Sequence, residues 1–468
     1  MDSQNTPAPG AARKLYVAVW RWHFYAGLYV IPFLILLSVT GILMVWFSAI
    51  SPEYGEKISL TPDGTTLSVT AQTEAALAAY PGGAVTAYIA PYAAEKPALI
   101  KVLAEETSHV LAIHPFTGAV LRDTVEGDTW EEWADHLHGE LGLSGPRKAY
   151  GDFAVEVAAS LALLLVVTGL YMAWPRDGRG LRSMLVPDLS ATGRAFWKSL
   201  HLTLGTWASG LLILFLISGL SWAGIWGGKF VQAWSTFPAE KWDNVPLSDA
   251  THAGMNHTAK ETVPWALEQT PMPESGSAAG IDGLPEGTMA SFETVAQLAR
   301  DLGVQGRFQL TPPAGETGVW TIAQDSMSND STDPTADRTV HIDQFTGKIL
   351  ADVRFADYSL AGKAMAVGVP LHMGLMGLWN AALNIGFCLM LLTVSITSVV
   401  MWWKRRPSGA ARLAAPPAPA DVPLARGMVL IALAMSLAFP VLGLTLLAVL
   451  AFDLVILSPI PALKRVLS

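Results

Sequence analysis

The sequence predicts an integral membrane α-helical bundle of four core spans plus a C-terminal helical hairpin, with two small α+β modules outside the bilayer and an internal duplication. Three observations predict it. From His23 to Trp46 no Asp, Glu, Lys or Arg interrupts the chain, a length that crosses the ~30 Å hydrocarbon core as a helix. The stretch Trp20–Trp46 returns at Leu200–Trp226, and both copies read H-x3-G-x13-G: His23, Gly27 and Gly41, then His201, Gly205 and Gly219. Two segments between the spans also match, HVLAIHPFTGAVL (His109–Leu121) and RTVHIDQFTGKIL (Arg338–Leu350). Each reads as a strand, a Phe-Thr-Gly turn and a second strand, after a helix-like stretch at Thr73–Tyr80 or Phe292–Leu302.

Composition narrows the class. Of 468 residues, 51% are apolar and only 15% charged, and mean hydropathy is +0.37, which places the chain in a lipid bilayer. A net charge of −9 gives no reason to expect a nucleic-acid partner. The single cysteine, Cys388, lies inside an apolar run, so there is no disulfide framework, no CxxC pair and no c-type haem attachment sequence. The first apolar segment is too long for a signal-peptide core and is read as an uncleaved anchor.

In chain order, residues 1–12 are Pro/Ala-rich and expected to be disordered. The first span falls in 13–49, the first module in 50–150, the second span in 151–175 (roughly Phe153–Trp174) and a loop in 176–195. The third span falls in 196–227 (Phe196–Trp226), the second module in 228–370 and the fourth span in 371–403 (Trp379–Trp403). A linker (404–427) rich in Ala and Pro follows, then an apolar stretch in 428–457 that Phe439-Pro440 divides into a hairpin. Tryptophans gather at span ends as interfacial aromatics do. Arg13, Lys14, Arg176, Arg179, Arg182, Arg194, Lys198, Lys404, Arg405 and Arg406 mark the inner side. The N-terminus is then cytoplasmic and both modules lie outside.

The histidines carry the chemistry. Eighteen residues are five helical turns, so His23 shares a face with Gly27 and Gly41, and His201 with Gly205 and Gly219. A bare backbone one turn from an imidazole leaves room for a flat ring; close helix packing is the competing reading of the glycines. An imidazole inside a membrane needs a partner. His138 in WADHLHGELGLSG and His372 in PLHMGLMGLWN stand at the opposite edge of the bundle. Each half therefore supplies one imidazole at each face, enough for two axial ligands to one haem iron. His23 with His201 would hold an inner haem and His138 with His372 an outer one. Zinc usually takes four ligands, and no carboxylate stands near His23 or His201. Beside His138, residues Asp135, His136 and Glu140 leave a small-metal site open. His252 and His257 around Met255 read as a polar loop, His109, His114 and His341 as solvent-facing strand residues, and Asn380 and Asn384 as packing contacts or pocket lining. Arg21, Trp22 and Lys198 could meet haem propionates or anchor the interface.

At this point the chain resembles the PepSY-associated transmembrane helix family. The resemblance rests on WRWHFYAGLYVIPFLILLSVTG, LHGELGL with TGLYMAWP (Thr168–Pro175), FWKSLHLTLGTW and PLHMGLMGLWN, and on the paired PFTGAVL and DQFTGKIL hairpins, which resemble PepSY modules. It covers about residues 13–457. Within that family the chain is similar to di-haem b-type ferric-siderophore reductases. The resemblance implies a bacterial inner-membrane oxidoreductase with two b-type haems on His23, His201, His138 and His372. It also implies periplasmic modules and electrons delivered to a ferric siderophore so that Fe(II) is released. The electron donor, a quinol or a cytoplasmic reductase, is not specified, and no flavin or nicotinamide fingerprint is present. Asp325–Asp337 matches no assignable motif. Two alternatives stand beside this: a haem electron-transfer protein with another acceptor, and a haem-free membrane sensor or peptidase-regulating protein.

Overall fold

An apolar run in lipid satisfies its backbone polar groups only by closing them internally, so each run becomes a helix. The computed structural model describes residues 10–176, 180–231, 244–255, 263–406, 413–417, 426–457 and 459–460. Five of its helices are long and apolar enough to cross a membrane: Ala12–Ile50, Gly145–Ala173, Gly193–Leu220, Leu378–Arg405 and Pro440–Leu457. The corresponding α-helices are α1 (Ala11–Val45), α4 (Lys148–Ala173), α6 (Gly193–Leu220), α9 (Leu378–Arg405) and α11 (Pro440–Phe452), with a short α5 (Arg182–Leu185) before α6. The helix starting at Ala11 trims the disordered N-terminus expected over 1–12; residues 1–9 lie outside the described residues. The Phe439-Pro440 break falls where the sequence places it, since Pro opens α11. Its partner α10 (Arg426–Ala438) has 13 residues, too few to span the bilayer alone.

The third span stops at Leu220, short of the expected Trp226. Beyond it the chain turns and resumes as a π-helical turn, Trp226–Val231. Two carboxylates of α4 hold this break. Glu156, 1% exposed, accepts the backbone N–H groups of Ile225 (3.1 Å) and Trp226 (2.9 Å). Asp152 accepts that of Gly224 at 3.0 Å. Glu156 thus caps a broken helix, which explains a buried acid in an apolar helix. Replacing Glu156 with Leu should orphan two amides and lower stability by about 2–4 kcal/mol, read as a lower unfolding midpoint in detergent.

By contacts the chain divides into two compact units, one of Met1–Val39, Gly139–Phe230 and Gly386–Ser468, the other of Thr40–His138 and Val231–Ile385. The second unit contains the β structure. Its first half runs α2 (Val69–Ala79), β1 (Ala84–Ile89), β2 (Ala98–Ala104), β3 (Thr107–Ile113), β4 (Val120–Val125) and α3 (Trp130–Glu140). Its second half has the short pair β5 (Leu247–Thr251) and β6 (Pro271–Pro273). There follow α7 (Phe292–Asp301), β7 (Gln309–Thr311), β8 (Val319–Gln324), β9 (Arg338–Asp343), β10 (Ile349–Arg354) and α8 (Leu360–Met373).

Both predicted hairpins form, β3–β4 and β9–β10. Gly118 (φ 74°) and Gly347 (φ 66°) take the left-handed backbone that the Phe-Thr-Gly turn needs. The two modules do not remain separate. Strands β1 and β7 pair antiparallel through Tyr88–Leu310 and Ile89–Gln309, giving one eight-stranded sheet in the order β10-β9-β8-β7-β1-β2-β3-β4. Strand alternation sends Ile100, Val102, Leu111, Ile113, Phe308, Leu310, Ile322, Val340 and Ile342 into one core with α2 and α7. Leu99, Val110 and Ala112 pack on Tyr54 and Leu121 instead.

His109, His114 and His341 depart from the solvent-facing reading, and His252 from the polar-loop one. His341 is fully buried and His252 is 1% exposed. Their Nε2 atoms lie 2.8 Å apart. His252 Nδ1 faces the Thr270 carbonyl at 2.7 Å. A carbonyl only accepts, so His252 carries its proton on Nδ1 and accepts at Nε2 from His341, whose Nδ1 lies 3.0 Å from the Thr321 hydroxyl. His109 is half-buried against Tyr80. His114 is half-buried too, and its Nδ1 accepts the Phe116 amide at 3.3 Å. His257 lies outside the described residues. Burial pushes His252 from 6.5 to about 4, while the unfolded chain takes up that proton near 6.5. The unfolded state therefore binds more protons between those values, and stability should fall as pH drops from about 6.5 to about 4, by on the order of 3 kcal/mol. Thermal unfolding across that range should show the loss in the native protein and a smaller one in His252→Gln.

Candidate functional site: two facing pairs of histidines

The first pair is built from α1 and α6. The rings of His23 and His201 face each other with centroids 6.4 Å apart and planes at 84°. His23 Nδ1 lies 2.9 Å from Thr168 Oγ1 on α4. The Thr168 hydroxyl is 2.6 Å from the Leu164 carbonyl, which can only accept. The hydroxyl hydrogen goes to that carbonyl, and Thr168 Oγ1 accepts from His23 Nδ1–H. The same logic holds for His201. Its Nδ1 meets the Val394 carbonyl (3.2 Å), Thr397 Oγ1 (3.1 Å) and Ser398 Oγ (3.2 Å) on α9. Both hydroxyls donate to Val394 O, at 2.8 and 2.9 Å. These partners assign Nδ1–H to both rings and leave Nε2 as a lone pair.

The second pair comes from α3 and α8. His138 and His372 lie with ring centroids 6.5 Å apart and planes at 77°. His138 Nδ1 is 2.8 Å from Thr40 Oγ1 near the end of α1, and burial lowers its pKa to about 4, so the ring is neutral. The start of α3 is fixed by Thr129 and Glu132, which exchange hydrogen bonds of 3.2 and 2.7 Å. Tyr54 adds a donor to Glu132 at 2.7 Å. Helix α8 is capped by Ser359 at its start and ends at Gly374, φ 84°. Asn380 and Asn384 donate to the Leu371 carbonyl at 2.9 and 2.8 Å, and Asn384 also donates to the His372 carbonyl at 2.8 Å. Of the two roles left open for these asparagines, they act as ties. They occupy the orphan carbonyls of α8 and so fix the backbone that carries His372.

Both pairs fit a bis-imidazole iron. A metal–nitrogen bond of about 2.0 Å on each side, plus roughly 1 Å from nitrogen to ring centre, sets about 6 Å between centroids. The surroundings of Gly27 and Gly205 bear on the two readings of the glycine spacing. A Cβ built on Gly205 would meet nothing within 4 Å, and one on Gly27 only Leu165 at 4.0 Å. Neither glycine is tightly packed by a neighbouring helix, so the residues present leave room for a flat ring beside the imidazoles. Gly169 differs, since a Cβ there would stand 3.3 Å from His23 Cε1 and press on the ring. Among the described residues no group of three or more His, Cys, Asp or Glu side chains converges to hold a metal ion. The small-metal alternative beside His138 therefore has no such cluster to stand on.

The model of the PepSY-associated TM region family matches residues 20–405. The chain belongs to that family. No curated protein matches it significantly. In this PepSY-associated chain the match takes in all four paired histidines and both hairpins.

Of the residues considered for propionates, Arg21 is turned to the Pro416 carbonyl (2.5 Å) and stacks over Tyr25 at 4.9 Å. Trp22 and Lys198 are exposed. The hydroxyl partners Thr168, Thr397, Ser398 and Thr40 were not singled out in the sequence. A signal was present: Thr168 opens the TGLYMAWP stretch, Thr40 lies in the first apolar run and Thr397 and Ser398 lie in the fourth, and a hydroxyl in an apolar helix is a candidate partner for an intramembrane histidine.

Proposed function

We propose that this PepSY-associated chain is a b-type di-haem oxidoreductase of the bacterial inner membrane. It passes electrons across the membrane to reduce a ferric siderophore in the periplasm and release Fe(II). The observation that carries the proposal is the pair of imidazole pairs, each at bis-ligand separation with Nδ1 engaged at His23, His201 and His138. Haem bound at each pair would supply a one-electron Fe(III)/Fe(II) couple. The chain's own residues do the rest. Thr168, Thr397, Ser398 and Thr40 hold the ring tautomers and raise ligand basicity. Asn380 and Asn384 fix the depth of His372. The basic residues of the loops, read with the positive-inside rule, put the N-terminus in the cytoplasm and the fused sheet in the periplasm. One electron converts a siderophore-bound Fe(III) to Fe(II), whose weaker hold on hard oxygen donors lets the metal leave.

The test is direct. Protein reduced with dithionite should reoxidise on addition of a ferric siderophore and deliver Fe(II) to a ferrous chelator, tried over several siderophores. Failure with every siderophore, by a protein that holds two haems, would leave electron transfer to another acceptor. A colourless preparation made with ample haem would favour the haem-free sensor or peptidase-regulating reading.

A further inference from the structure

The duplicated modules differ at one place in a way that changes its chemistry. In the second module Arg338 on β9 ties the helix end to the hairpin. Its Nε and Nη2 donate to the two oxygens of Asp352 on β10, both at 2.8 Å, and its Nη1 donates to the carbonyl of Leu302, the residue ending α7, at 2.6 Å. In the first module the equivalent residues are His109 on β3, Asp123 on β4 and Tyr80, the residue ending α2. The registers agree: His109 stands opposite Val125 and Arg338 opposite Arg354, each two residues beyond its aspartate. One guanidinium thus suffices for the structural tie. The first module has exchanged it for an imidazole and added a phenol.

The resulting donors crowd about one point. Tyr80 Oη lies 2.7 Å from His109 Nδ1, and His109 Nδ1 lies 3.1 Å from Asp123 Oδ1. Tyr80 Oη also makes a hydrogen bond to Asp123 Oδ2. The triangle has three short edges and at most two protons to place on them, one from the phenol and one from the imidazole. Neighbouring ligands on an octahedral ion with bonds of about 2.1 Å stand about 3 Å apart, close to the two edges that meet at His109; the Tyr80–Asp123 edge would open on binding. The Asp123 side chain is 41% exposed, so water can complete the coordination. Phenolate, carboxylate and imidazole without sulfur suit a hard, highly charged transition-metal ion.

We infer that Tyr80, His109 and Asp123 form an open mononuclear site for ferric iron, independent of the paired histidines. Binding displaces the phenol proton to solvent. The imidazole gives up its Nδ1 proton, to Nε2 or to solvent, leaving Nδ1 for the metal. No oxidant or reductant is consumed.

The test uses the full-length protein loaded with ferric nitrilotriacetate and desalted, with haem measured as its pyridine complex and total iron by mass spectrometry. One iron beyond the haem content is expected, with a high-spin ferric EPR signal and resonance Raman bands of iron-bound tyrosinate. The double variant Tyr80→Leu, His109→Arg installs the second module's trio and keeps the tie. It should bind ferric iron at least tenfold more weakly, with haem content and unfolding midpoint unchanged. Tyr80→Phe, which keeps the ring, should lose the tyrosinate bands. A native protein without iron beyond haem, or variants that retain it with unchanged affinity and spectra, would overturn the inference. Loss of haem would not, because the two are counted separately.

Discussion

Replacing His201 with Ala should leave the protein with roughly one haem per chain and end reduction of ferric siderophore, while the second haem keeps its spectrum. The reason is geometric. His23 and His201 stand on separate helices, 6.4 Å apart at their ring centres, and each has Nδ1 engaged by a neighbouring helix, which leaves Nε2 as the lone pair. Removing one ring leaves a single ligand and an opening on the other side, so the low-spin signature should vanish even where some haem remains. His23→Ala should give the same spectrum as His201→Ala. His138→Ala and His372→Ala should give the complementary one. Absorption and low-temperature EPR of the four variants, purified with equal haem supply, decide the pairing. The assignment fails if the variants group in any other way or if all four keep the native spectrum.

Gly205→Phe should remove the haem of the first pair without touching either of its ligands. A Cβ at Gly205 meets nothing within 4 Å, so a side chain can start there, and a phenyl ring would take up room that a haem at this pair would need. The exchange also removes a helix-weakening glycine, so the span should remain intact. Gly205→Ala, whose single methyl reaches into open space, should retain both haems. Haem stoichiometry and helicity measured on the same samples separate the outcomes. A Gly205→Phe protein that still carries two haems would show that the glycine serves something other than a cofactor.

The duplication made much of this legible. A repeated His with two glycines at fixed spacing marks one helix face, and a repeated Phe-Thr-Gly hairpin marks two modules, because helical and strand periodicities are local properties. Where the sequence reading erred, the deciding contact was distant in sequence. The third span ends early because Glu156, about 70 residues away, takes the amides of Ile225 and Trp226. His341 is buried because His252, 89 positions earlier, lies against it. The two modules merge because Tyr88 and Leu310 have a shared register.

By itself the sequence determined the apolar runs, the four histidines, their two-fold repetition and membership of the PepSY-associated family, since each is written in residue type and spacing. Only the tertiary structure decided which nitrogen of His23 and His201 is free. That choice rests on hydroxyls and a carbonyl supplied by other helices, Thr168 in one case and Val394, Thr397 and Ser398 in the other. A proton settles on whichever nitrogen faces an acceptor, and which groups face it is known only once the helices are packed.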